Sequence, residues 1–137
     1  MLCIEHRIAS LCAALALAGC ATAPSPSALA RDWQPYKVQV AQRIVVANPG
    51  GTYTGRVPDI LLAVPVLEIE LNADGSVRSI GVLRYPGQAQ ETTQMAIDAV
   101  RRAAPFGDVS SLPRPWRFTE AFLFDDSRRF KPRTLED

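Results

Sequence analysis

The stretch from Val64 to Leu83 does most to restrict what this chain can fold into. Leu67, Ile69 and Leu71 alternate with Glu68 and Glu70, the period of a strand with one buried and one solvated face. Asn72-Ala73-Asp74-Gly75 reads as a short hairpin turn in which Gly75 is free to take positive φ. Val77, Ile80 and Val82 supply the apolar set of the returning strand. Their spacing predicts a bulge near Arg78-Ser79 if all three are to face one core. A hairpin alone is marginal in water, so the flanking segments are expected to cover its apolar face.

Upstream, Leu29, Trp33, Tyr36, Val40, Ile44 and Ala47 fall on one stripe of a helix. Pro35 is tolerated only in a first turn, which predicts a helix start near Asp32 to Gln34. Asn48-Pro49-Gly50-Gly51 ends that helix. Within Thr52 to Leu62, Arg56-Val57-Pro58-Asp59 reads as a loop, and Ile60-Leu61-Leu62 reads either as an early start of the first strand or as a short connector. Downstream, Tyr85-Pro86-Gly87 breaks the second strand, and a helix is expected from about Ala89 to Ala104. Its stripe of Met95, Ala96, Ala99, Val100 and Ala103 is narrow and suits close packing on a sheet. Arg101 and Arg102 lie in its last turn, where the helix dipole favours cations. Trp116, Phe118, Phe122 and Phe124 alternate along a third strand. Glu120 interrupts that aromatic face, and an inward charge at a sheet edge blocks unwanted pairing. The charged stretch from Asp125 to Asp137 is expected to fray.

These elements predict an α+β fold: a small αββαβ domain, with a three-stranded antiparallel sheet packed against two helices. The expected organisation is a leader over 1–19, a flexible tether over 20–30, the domain over 31–126 and a charged tail over 127–137. The tether expectation comes from Pro24, Ser25, Pro26 and Ser27, which offer no material for a core.

The net charge of +1, with both signs interspersed, gives no footprint for nucleic acid. All three cysteines (Cys3, Cys12 and Cys20) and the only histidine, His6, lie in the first twenty residues. If that stretch is removed, the mature domain keeps no cysteine beyond its own first residue and no histidine. Disulfides, Cys/His metal sites and His- or Cys-based catalysis then go together, so no metal and no cofactor is expected.

The leader carries a resemblance of its own. Ile8 to Ala18 is an apolar run of signal-peptide length, too short to span a bilayer at roughly 20 residues. It ends in Leu17-Ala18-Gly19-Cys20, which resembles the lipobox of bacterial lipoproteins. The resemblance implies cleavage between Gly19 and Cys20 and acylation of Cys20. Several acyl chains on one residue anchor stably where a single chain does not. Ala21 after the cysteine implies sorting to the outer membrane, on its periplasmic face in a Gram-negative cell. Ala21-Thr22-Ala23 leaves open an ordinary signal-peptidase cut and a soluble periplasmic protein, although Pro24 disfavours it.

The domain also resembles the C-terminal domain shared by TonB and TolA, from about Trp33 to Arg133. The features that carry this are Asp74-Gly75 followed by Val77, the helix with Ala96 and Ala99, then Ala104-Pro105-Phe106 and an aromatic strand. In that family the last strand lies at an edge of the sheet, and in TonB it accepts a receptor peptide by strand addition. Carried onto this chain, the candidate edge is Phe118, Thr119, Glu120, Ala121, Phe122, Leu123 and Phe124. TonB and TolA have an uncleaved membrane helix and a long periplasmic arm, neither of which is expected here. The resemblance therefore implies a fold and a protein-binding habit, and no energy transduction.

Three functional classes follow. An enzyme would have to use Glu68 with Glu70, or Asp125 with Asp126, but neither pair has a neighbouring nucleophile or orienting group in the sequence. A binding module would take an envelope protein or peptide at the edge strand, or a second copy of itself. A scaffold touching peptidoglycan, or its own copies, would use Arg128, Arg129, Lys131 and Arg133 as a basic patch. The expected function is a lipid-anchored, non-enzymatic binding module.

Overall fold

The computed structural model describes Gly19 and residues 26–136, with side chains from Trp33 onward. Cys20, the rest of the expected leader and the first part of the tether lie outside the described residues.

Helix α1 spans Pro26–Ala47, strand β1 Val66–Leu71 and strand β2 Val77–Arg84. Helix α2 spans Glu91–Ala103, β3 Arg117–Phe124 and β4 Phe130–Pro132, followed by a 3-10 turn over Arg133–Leu135. The sheet is antiparallel with spatial order β2-β1-β3-β4. The α+β class holds, but the sheet has four strands where three were expected.

The hairpin forms where the alternation placed it. Leu67, Ile69 and Leu71 are buried, and Gly75 sits at φ 83. Asp74 accepts the N–H and hydroxyl of Ser76, which hold its carboxyl below the ordinary range. Glu70 pairs with Ser79 and Leu71 with Val77, so Arg78 is the extra residue of a bulge. A second irregularity, between Val82 and Arg84, leaves Leu83 unmatched.

Helix α1 starts earlier than expected and carries Pro35 inside it. Pro26 fits a first helical position and Ala28 to Arg31 are good helix formers, so the turns before Pro35 form despite its missing N–H. Tyr36, Val40 and Ile44 point into the core with Ala96, Ala99 and Val100 of α2. Asn48, just past α1, donates from Nδ2 to the carbonyls of Ile44 (2.8 Å) and Ala99 (3.0 Å). Its Oδ1 accepts from Arg102 at 2.9 Å, so one buried amide ties the two helices together.

The stretch expected to fray is structured. Phe130 is 3% exposed and sits against Phe122 and Phe124, with ring centroids 5.2 and 5.5 Å away. That burial fixes β4 beside the second half of β3, through the pairs Phe122–Pro132, Leu123–Lys131 and Phe124–Phe130.

Candidate interaction edge

Strand β3 is flanked on both sides. Val66–Glu70 pair with Arg117–Ala121 on one side, and β4 takes Phe122–Phe124 on the other. Beyond β4, the Phe130 N–H donates to Gly51 at 2.9 Å and the Tyr53 N–H donates to Phe130 at 3.2 Å. The expected partner-binding edge is therefore corrected for Phe122, Leu123 and Phe124, whose outer side the chain itself occupies.

Phe118, Thr119, Glu120 and Ala121 have a different boundary. Here the chain leaves the sheet and enters the 3-10 turn, and Glu120 is the reason. Its Oε1 accepts the backbone N–H of Ala121 (3.2 Å) and of Thr134 (3.1 Å). The Ala121 N–H is one that continued β3–β4 pairing would otherwise engage, by the register that sets Leu123 opposite Lys131. Glu120 is 3% exposed, at the floor of a groove of about 470 Å³ that Gln34, Lys37, Arg133 and Glu136 also line. Burial pushes its carboxyl pKa up, while hydrogen bonds from Thr134 and the charge of Lys37 pull it back. The sequence placed Glu120 on the aromatic face but gave no sign of the two N–H groups it would serve.

The opposite rim of the sheet is different. Among the described residues, nothing pairs with the outer side of β2. Leu71 donates its N–H to Trp116, so odd-numbered residues of β1 direct their backbone groups toward β3 and even-numbered ones toward β2. Glu68 and Glu70 face Gly81 and Ser79, which leaves the N–H and C=O of Ile80 and Val82 pointing outward. Leu83 and Tyr85, at 56% and 68% exposed, lie at the far end of this rim. The period-2 signal located the strand. It could not say which strand would end at the rim, because that depends on β4.

The other candidate residues have structural partners. Glu70 accepts from Ser79 at 3.3 Å and lies 3.7 Å from Arg78. Asp125 closes the turn before β4 by accepting the N–H groups of Ser127 (2.9 Å) and Arg129 (3.0 Å). Of the expected basic patch, Arg128 pairs with Glu91 (2.8 Å), Arg129 with Asp125 (3.2 Å), and Lys131 donates to Gly55 (2.9 Å). Among the described residues, no group of three or more His, Cys, Asp or Glu could hold a metal ion. No helix among them is long and apolar enough to cross a membrane. Gly19, the described residue of the lipobox, is exposed. Compared with protein-family models, curated proteins and solved structures, the chain matches none of them.

Proposed function

We propose that this chain is a lipid-anchored lipoprotein of the bacterial envelope, with a non-enzymatic, TonB/TolA C-terminal-like domain that binds an extended segment of another envelope protein. The segment adds as a strand beside β2. One observation carries this reading: among the described residues, β2 is the rim of the sheet with unpaired outward backbone groups, while the opposite rim is occupied by β4 and Gly51–Tyr53. Such groups bind any extended chain through main-chain hydrogen bonds, and neighbouring side chains select among chains. The αββαβ order within the larger fold supports the family likeness, and Leu17-Ala18-Gly19-Cys20 supports the anchor. The scaffold alternative is less favoured, because Arg128, Arg129 and Lys131 are already engaged within the domain.

Two measurements test the reading. Intact mass of the membrane fraction should give a chain beginning at Cys20 plus acyl groups, lost together with membrane retention in Cys20→Ser. An unmodified chain beginning near Pro24 would remove the anchor from the proposal. Photo-crosslinking side chains placed at Leu83 and at Thr119 in living cells should give envelope-protein adducts from Leu83 alone. Adducts from Thr119 and none from Leu83 would return the site to β3.

A further inference from the structure

Strand β2 carries two cations and no carboxylate: Arg78, whose side chain is 67% exposed, and Arg84, also exposed. Arg101 adds a third, exposed in the last turn of α2, the helix that packs on β2. The nearby acids Glu68 and Glu70 lie one strand in from the rim: Glu68 faces Gly81, and Glu70 accepts from Ser79 and lies 3.7 Å from Arg78. Asp74 is held by Ser76, so an added strand meets the arginines of β2 itself first. The regular run of β2 lies between its two irregularities, from Ser79 to Val82, with an arginine just beyond each end.

In the register that pairs Ile80 with Val82, a second copy of the chain fits this rim poorly. Antiparallel self-pairing centred on Gly81 would set Arg78 of each copy opposite Arg84 of the other. Like charges directly opposite in a sheet are destabilising. An extended segment with carboxylates flanking a short uncharged run meets the same rim with opposite charge at both ends. Charge complementarity of this kind selects partners and speeds encounter more than it adds affinity.

We propose that the β2 rim recognises an acidic extended segment of another protein, with carboxylates placed to meet Arg78 and Arg84 and main-chain hydrogen bonds to Ile80 and Val82. This rests on the strand-addition reading and adds the chemistry of the partner to it.

The probes are two synthetic peptides of about ten residues, near the upper end of ordinary strand lengths. They share a Thr/Val centre and differ in having Glu or Lys on both flanks. Binding to the full chain in mild detergent is followed by fluorescence anisotropy at low and high salt, and by amide exchange of the protein. The Glu probe should bind about tenfold more tightly than the Lys probe at low salt, with the gap closing at high salt. Amides of Ile80 and Val82 should gain protection, and the exposed double variant Arg78→Glu/Arg84→Glu should reverse the preference. Equal binding of both probes, with Ile80 and Val82 protected, would overturn the acidic partner and leave strand addition standing. No protection at Ile80 and Val82 with either probe would overturn both. A doubled mass in sedimentation, abolished by that double variant, would make a second copy the occupant instead.

Discussion

The backbone N–H of Thr134 donates to Oε1 of Glu120 across 3.1 Å, and the same oxygen accepts the N–H of Ala121. One buried carboxylate thus stands in for the strand residue that would have paired next. The chain turns out of the sheet at this point, so β4 stops after three residues. Removing the acceptor should leave two N–H groups with little access to water, so Glu120→Ala is expected to cost about 1–3 kcal/mol. Glu120→Gln keeps an oxygen acceptor in place and should cost far less. Urea midpoints of the two variants decide this, and equal losses would mean that Glu120 contributes only bulk.

The same carboxyl should leave a pH signature. Burial raises its pKa in the folded chain above that of the unfolded chain. The folded state therefore holds the proton over a window in which the unfolded state has lost it. Stability from this group is fully present below the unfolded value and is lost as pH rises through the folded one. Urea titrations from about pH 4 to about pH 8 should show wild type losing ground to Glu120→Gln as pH rises. A constant difference across that range would count against the burial argument.

The sequence made the hairpin, α2 and β3 legible because each repeats its apolar signal over several periods. The bulge at Arg78 was legible too, since Val77, Ile80 and Val82 cannot otherwise share a face. Strand β4 was hidden for a physical reason. Phe130 is a lone apolar residue between Arg129 and Lys131, and one residue has no period. Its burial comes from Phe122 and Phe124, contacts that only the tertiary fold creates. Without β4, β3 reads as an edge strand along its whole length, although β4 covers Phe122 to Phe124. The side chains of Ile80 and Val82 pack half-buried against the core, as their spacing predicts, yet their outward backbone groups depend on strand order, which alternation does not encode.

Gly75 is required for more than its turn. Its carbonyl accepts the N–H of Phe106 at 2.9 Å, and a Cβ in its place would collide with the backbone of Gly107. The left-handed conformation alone costs a side chain about 1–2 kcal/mol, so with the collision Gly75→Ala should lose about 3 kcal/mol or more. The measurement is a urea midpoint. A variant within error of wild type would mean that the 105–109 loop is free to move off the hairpin.

Tyr36 fastens α1 to that same loop, donating its hydroxyl to the Gly107 carbonyl at 3.0 Å. Burial raises its phenol from 10.0 to about 12. The unfolded phenol ionises first, so this group's contribution declines as pH climbs above 10.0 and is lost through about 12. Tyr36→Phe should cost about 1 kcal/mol at neutral pH. It should also remove one late step from the ultraviolet phenolate titration. Retention of that step would assign it to another tyrosine.

Phe130 offers the sharpest test of whether the C-terminal stretch belongs to the core. Its ring fills space against Phe122 and Phe124, and its N–H and C=O engage Gly51 and Tyr53. Phe130→Ala leaves the backbone bonds available but opens a cavity beside two of the largest buried side chains. A loss of about 3–5 kcal/mol is expected, the range for a buried phenylalanine. Removing every residue after Asp126 should cost at least as much, since it also strips the pairing with β3. Conversely, Arg129→Ala, at an exposed turn pair, should change stability by about 1 kcal/mol or less. If Phe130→Ala proves as mild as Arg129→Ala, β4 is a loosely held strap. The outer side of β3 would then be available to a partner, and β2 would no longer be the one free rim among the described residues.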